Sequence, residues 1–273
     1  MMATPSLLNQ LDIESLKEKV KHSKPFPNFC LDNFLEENFA REVLLSFPDV
    51  EQSSKNGVLF DAVNERKKIQ IVNPKLFSEP LQRLNNILSS KEFLEFISFV
   101  MAIPNLVADP SLMGGGIHQT KSQGHLDVHI DFNYIKSRKL HRRLNILIYF
   151  NENWKTEWGG EIELWDENVK VRQSAFLPIF NRCVVFETND KSFHGVTAVT
   201  CPANVVRQSF AAYYYTYEPP KHWKGKFHST IFRARPGEKW KGLVSMPLEK
   251  LLKFGKRVIN YGLRRISGGR VQI

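Results

Sequence analysis

Cysteine is scarce in this chain: Cys30, Cys183 and Cys201 are the only three among 273 residues. An odd, scattered set cannot build a disulfide framework, so the core must come from apolar packing, and a reducing compartment is expected. No run of about 18 consecutive apolar residues occurs, which leaves no candidate for a membrane-spanning helix. The first 25 residues lack the unbroken apolar stretch of a secretory signal; residues 13–21 read instead as a charged helical lead-in, and a soluble, cytoplasmic protein is expected. Repeats, Gly/Ser-rich linkers and low-complexity blocks are also missing. With 42% hydrophobic residues, a chain of this length buries roughly three quarters of the surface it exposes when unfolded, enough for one enzyme-sized domain. Acidic residues are in deficit, 28 against 38 Lys and Arg for a net charge of +10, which raises an anionic partner as a question.

What is present is a pattern of metal-binding residue types. The strand-like stretch 124–132, GHLDVHIDF, sets His129 and Asp131 two apart, and His194 stands alone far downstream. Residues i and i+2 of a strand project from one face, so an imidazole and a carboxylate there can bind one ion side by side. Two histidines and one carboxylate suit Fe(II) and leave the opposite coordination face open for a co-substrate and dioxygen, whereas a structural zinc site closes all its positions. The same stretch holds a second His-x-Asp, His125 with Asp127, and alternation places all four residues on one face. Only one pair can hold the ion. Strand-like runs follow at residues 142–151, 158–165, 182–187 and 205–217, the last carrying Arg207 among apolar neighbours. An arginine in such company is expected to face an enclosed cavity with a negative partner.

In this order the segments HIDFN, RRLNILIYFNENW, WGGEIELW, FHGV and RQSFAAYYYT make residues 115–217 resemble the iron(II)- and 2-oxoglutarate-dependent dioxygenases, and within them the prolyl 4-hydroxylase-like branch. FPNFCLDNFLEENFAREVL near the start and HSTIFRARPGE after the core resemble segments of bacterial members of the group. The resemblance selects His129 and Asp131 over His125 and Asp127 and joins His194 to them as the iron ligands; His125 and Asp127 are then expected to be exposed strand polars. It implies Arg207 as the anchor of the far carboxylate of 2-oxoglutarate. A guanidinium forks onto a carboxylate with two parallel hydrogen bonds, which a lysine cannot do. Ser209, on the same face, is expected to add a hydrogen bond, and Tyr149 and Asn145, alternating on one face of the strand after the metal pair, to touch the co-substrate. The implied reaction decarboxylates 2-oxoglutarate to succinate and hydroxylates an unactivated C–H bond with dioxygen, with ascorbate admitted as a reductant. Halogenating relatives lack the carboxylate ligand, so Asp131 favours hydroxylation.

The predicted fold is mainly β with flanking helices, a double-stranded β-helix (jelly-roll) core at residues 111–220. Residues 1–110 form an N-terminal buttress of the same domain, with amphipathic helices at 33–45 and 80–102. Residues 221–273 are a basic extension, whose apolar stripe within 246–265 admits peripheral contact with an anionic membrane, although packing against the domain is the plainer expectation. The substrate is expected to be a prolyl residue or a small metabolite, met by loops near 50–75 and 132–141, and the basic run 136–143 admits an anionic one. A nucleic-acid-directed oxygenase is the rival within the enzyme class; such enzymes carry a second arginine soon after the first, and here Arg207 leads into QSFAAYYYTY. A non-catalytic jelly-roll that binds metal or ligand is the rival outside it, and it predicts a missing ligand or anchor. None is missing.

Overall fold

A computed structural model describes residues 5–248 except 6, 222 and 239. In chain order its elements are α1 (Ile13–His22), β1 (Asn28–Leu31), α2 (Glu37–Leu45), α3 (Val50–Asn56), β2 (Val58–Phe60), β3 (Glu65–Ile71), α4 (Glu79–Ser89), α5 (Lys91–Met101), β4 (Val107–Ala108), β5 (Gly116–Ile130), β6 (Tyr134–Ile135), β7 (Leu140–Tyr149), β8 (Ile162–Trp165), β9 (Arg172–Phe176), β10 (Cys183–Glu187), β11 (His194–Val196), β12 (Arg207–Thr216) and β13 (Ile231–Phe232).

The strands run β1-β10-β7-β12-β5-β11-β8-β9 in one antiparallel path. β5 makes this path two layers: Gly116–Thr120 pair with β12, whereas the far end of the strand pairs with β11. Between them Gln123 takes a left-handed conformation (φ 65°), which turns the strand from one layer into the other. The result is the expected jelly-roll.

Alternation along the strands builds two cores. Ile146, Ile148, Val185 and Phe210 point outward and pack with Leu16, Val43, Leu84 and Phe96 of the helices. Leu147, Tyr149, Val184, Phe186 and Ala211 point inward to meet Ile162 and Leu164 of β8. Each large apolar side chain so buried contributes about 1.5–3 kcal/mol, so the N-terminal helices brace one layer by covering a face that would otherwise be wet.

Local chemistry changes several boundaries. The apolar spacing over 80–102 is shared by two helices, because Ser90 turns extended (φ −69°, ψ 155°) and its hydroxyl accepts the Phe93 N–H to start α5. α2 begins at Glu37 rather than 33, because Asn181 pins the Leu35 backbone, accepting its N–H at 2.9 Å and donating to its carbonyl at 2.7 Å. The stretch 50–75 is not a loop. It holds α3 and the β2–β3 hairpin, and β3 pairs with β5, Lys68 opposite Thr120 and Gln70 opposite His118.

After β12 the chain turns back, and β13 adds to β5 with Phe232 opposite His129 and Ile231 opposite Ile130. Most of the expected basic helix at 246–265 lies outside the described residues. Among the described residues no helix is long and apolar enough to cross a membrane.

Candidate active site

His194 opens β11 directly opposite His129 on β5, and Asp131 is the first residue beyond the end of β5, which stops one residue short of it although the strand-like stretch of the sequence runs to 132. One ligand atom from each of the three lies within 4.8 Å of the others. Asp131 Oδ1 is 3.6 Å from His129 Nε2 and Asp131 Oδ2 is 3.6 Å from His194 Nε2. Both rings are oriented by the backbone: His129 Nδ1 donates to Asp127 O and His194 Nδ1 to Ser192 O, each at 2.9 Å. A carbonyl only accepts, so Nδ1 carries the hydrogen and both Nε2 lone pairs aim at the shared space, as ligation requires.

The charge on Asp131 is secured by Arg142. Its guanidinium, 2% exposed, has Nη1 3.2 Å from Asp131 Oδ2, an ion pair without hydrogen-bond alignment. It lies between the rings of Phe132 and Tyr213, at 3.7 and 3.8 Å from their centres. Burial pushes the Asp131 carboxyl upward, but Arg142 and the flanking histidines outweigh it and hold it far below the usual carboxylate range.

Burial, with His129 alongside, pulls His194 down to about 4 from 6.5. Unfolded, the same imidazole protonates near its ordinary value. Between the two values the unfolded chain binds the extra proton, so metal-free protein loses stability as pH falls from 6.5 toward 4. His118, pulled down by burial and then by Lys68 and Arg207, acts in the same direction. At pH 5 the His194 contribution is roughly 2 kcal/mol. Urea unfolding in chelator at pH 7 and pH 5 is expected to show the fall, smaller in His194→Gln; an equal fall in that variant would clear His194 as its cause.

A second buried group lies along β12 and β7. Arg207, 4% exposed, donates from Nε to Gly160 O at 2.7 Å, and its guanidinium is 4.9 Å from the centre of the Tyr149 ring. Gly160 has φ +72°, and a Cβ there would stand 3.0 Å from Arg207 Cδ, so both conformation and space require glycine. Ser209 is the cross-strand partner of Tyr149. Arg207 Nη2, Ser209 Oγ, Tyr149 OH and Asn145 Oδ1 are all buried without a hydrogen-bond partner. No carboxylate among the described residues pairs with Arg207. Burial pushes the Tyr149 phenol up to about 12 against the pull of Arg207, so it remains a donor at neutral pH. Asn145 is paired with Phe186, whose ring is 4.6 Å from that of His194. An open groove of 830 Å³ on α1 and α5, lined by Lys17, Leu94 and Phe99 among others, contains none of these residues.

Residues 115–215 match the sequence profile of the 2OG-Fe(II) oxygenase superfamily. This core belongs to that superfamily. The chain thus carries an Fe(II)- and 2-oxoglutarate-dependent dioxygenase domain, as the sequence patterns predict. Its fold is shared with a prolyl hydroxylase from Trichoplax adhaerens solved with a hypoxia inducible factor peptide fragment (19% identity, 74% of this chain and 88% of that one, TM-score 0.51). A prolyl 4-hydroxylase from Phytophthora capsici is similar (17% identity, 78% and 69%, TM-score 0.51), as is SnoK, a non-heme alpha ketoglutarate dependent carbocyclase from nogalamycin biosynthesis (11% identity, 78% and 87%, TM-score 0.50). No curated protein sequence is significantly similar.

Two features of the oxygenase core depart from strict alternation. Against β11 the register of β5 slips by one, His194 facing His129 but Val196 facing Leu126. This bulge parts the two His-x-Asp pairs: Asp127 is not an exposed polar on the metal face but fully buried, 2.6 Å from Lys241 Nζ and 3.3 Å from Arg235 Nη1. His125 stays beside it at 3.7 Å and reaches Val63 O at 3.1 Å. A second slip, between β12 and β7, pairs Tyr214 with Leu144 but Tyr215 with Arg142. It turns Arg142 toward Asp131 and leaves Arg143 to donate to Thr216 Oγ1. The role of Arg142 is not legible from sequence, where it reads as one of a basic run. That run is largely consumed internally, since Arg138 also pairs with Asp109 at 2.6 Å.

Proposed function

We propose that His129, Asp131 and His194 hold Fe(II), and that Arg207, Ser209 and Tyr149 hold the far carboxylate of 2-oxoglutarate, with Asn145 beside its metal-bound end. The observation that carries this reading is Arg207, a buried cation with a free Nη2, no counter-anion and two unpartnered hydroxyls as neighbours. Burying a charge without a partner costs several kcal/mol, and a dianionic co-substrate supplies that partner. The donor set fits it. Two imidazoles oriented through their Nδ1 hydrogen bonds and a carboxylate whose charge Arg142 secures likewise fit a divalent iron.

Bound together, iron and 2-oxoglutarate supply oxidative decarboxylation coupled to oxidation of a C–H bond. The protein binds, orients and shields. The Nδ1 hydrogen bonds fix the imidazoles, Arg207 sets the direction in which the co-substrate lies, and the apolar wall of Leu147, Val184, Phe186 and Leu164 excludes water. Keeping Asp131 as a ligand favours hydroxylation.

For the substrate we favour a prolyl residue or a small metabolite with an apolar ring. Three residues beyond Asp131, Tyr134 stacks on Phe227 at 4.3 Å, and His141 and Trp223 extend this aromatic platform. The three cysteines are unpaired, which supports a reducing cytoplasmic setting that also keeps iron ferrous. Anaerobic binding of Fe(II) and of 2-oxoglutarate, followed by oxygen-dependent succinate formation with prolyl peptides and small metabolites, tests the reading. Both ligands are expected to bind, with succinate rising when a substrate is present. Failure of the wild type to bind either ligand would defeat it.

A further inference from the structure

The chain after the superfamily domain returns to the outer face of the layer that carries both histidines, and one side chain there touches three strands. Arg235 Nη2 donates to Leu126 O of β5 at 3.2 Å and to Val196 O of β11 at 3.1 Å. Its Nε donates to Glu163 Oε2 of β8 at 2.8 Å and its Nη1 to Asp127 Oδ1 at 3.3 Å. Asp127 and Glu163 are buried carboxylates, 0% and 2% exposed. Gly195 makes the approach feasible, since a Cβ there would stand 3.1 Å from Arg235 Nη2.

The two bridged carbonyls belong to Leu126 and Val196, the pair at which the β5–β11 register has slipped from the His129–His194 pair. A bulge interrupts the hydrogen-bond ladder and leaves strand geometry less determined than in regular pairing. Here that geometry decides whether His129 faces inward and how far it stands from His194. β11 is only three residues long, so few ladder bonds of its own hold His194 in place. The guanidinium joins the strands at this slip, with a planar fork of donors that a lysine ammonium cannot reproduce. The backbone two residues before it is held too: Arg233 N donates to Val128 O at 2.8 Å.

We propose that Arg235 is a positioning residue for the metal centre, holding the β5 bulge and β11 in the register that brings the His129 and His194 nitrogens together, so that this side chain supports the iron site without supplying a ligand. The proposal rests on the assignment of His129, Asp131 and His194 as ligands. Lys241, which reaches Asp127 but bridges no strand carbonyl, is the control for simple loss of charge.

Co(II) titration of the metal-free full chain, read by visible absorption, tests it with the metal alone as probe. Relative to wild type, Arg235→Ala is expected to weaken Co(II) about 10–100-fold, the usual size of an outer-shell effect, and to shift the absorption bands. Arg235→Lys should fall between, and Lys241→Met should stay within about 2-fold. Near-UV circular dichroism establishes that each variant is folded. A wild type that binds no Co(II) overturns the ligand assignment, and this proposal with it. A folded Arg235→Ala with wild-type affinity and spectrum overturns the proposal alone, even if it unfolds at lower urea. Should Arg235→Ala fail to fold, a folded Arg235→Lys with wild-type affinity and spectrum does the same.

Discussion

Asp131→Ala is expected to lose metal binding and oxygen-dependent succinate formation together, and to lose folding stability as well. The carboxylate is the only anionic group of the triad, and each of its oxygens faces one histidine at 3.6 Å. Its removal also strands Arg142, fully buried and 3.2 Å away. Breaking a buried ion pair from one side costs about 3–5 kcal/mol, partly offset here by the rings of Phe132 and Tyr213 on the guanidinium. His129→Ala separates the two effects: metal affinity should fall by more than the 10–100-fold of an outer-shell change, while Asp131 and Arg142 keep each other. Fe(II) titration with urea unfolding of both variants measures this. Metal affinity unchanged in Asp131→Ala would remove the residue from the site, and equal stability of the two variants would remove the argument about Arg142.

Arg207→Met should divide function from stability in the opposite direction. The affinity for 2-oxoglutarate is expected to fall on the order of 100-fold or more, since losing a charged partner in a dry pocket costs about 3 kcal/mol or more. The metal-free protein should be no less stable than wild type, and about 1 kcal/mol or more stabilised. The guanidinium is buried with Nη2 unpartnered, and replacing an uncompensated buried charge by an apolar chain of similar length relieves its desolvation, less the one hydrogen bond to Gly160 O. Isothermal titration of 2-oxoglutarate with metal present, beside urea unfolding in chelator, reads both quantities. A destabilised variant that still binds 2-oxoglutarate normally would show that Arg207 is structural.

The neighbouring folds bear on the substrate. A prolyl hydroxylase with a peptide and a carbocyclase share this architecture at 19% and 11% identity, so the scaffold does not choose the reacting molecule. The choice falls to side chains near the His129–Asp131–His194 cluster, and the aromatic platform we propose for it, Tyr134, His141, Trp223 and Phe227, is built from two distant segments that meet only in the folded chain.

The chemistry of the centre was legible in the linear sequence because it depends on residue type and local spacing. His129 and Asp131 sit two apart, His194 follows a nearly continuous apolar strand, and Arg207 and Ser209 share a face. These relations survive folding, since strand alternation is a property of the backbone itself. The same rule explains why Leu147 and Tyr149 fall on the inner core and Ile146 and Ile148 on the outer one. Where the rule is broken, sequence carries no mark. The slips at Leu126–His129 and at Arg142–Leu144 each insert one residue against a partner strand, and only the partner reveals it. Those slips decide that Asp127 is buried away from the His129–Asp131–His194 cluster and that Arg142 rather than Arg143 meets Asp131. Segment 50–75 read as loop because a short hairpin gains its strand character from pairing with β5. Arg235 read as one more charge in a basic extension, because its four partners lie between 39 and 109 residues away. Sequence by itself therefore determined the candidate ligands, the candidate anchor and the reaction class, which local spacing and motif order encode; the tertiary structure alone decided their orientation and support, because contacts across strands set both.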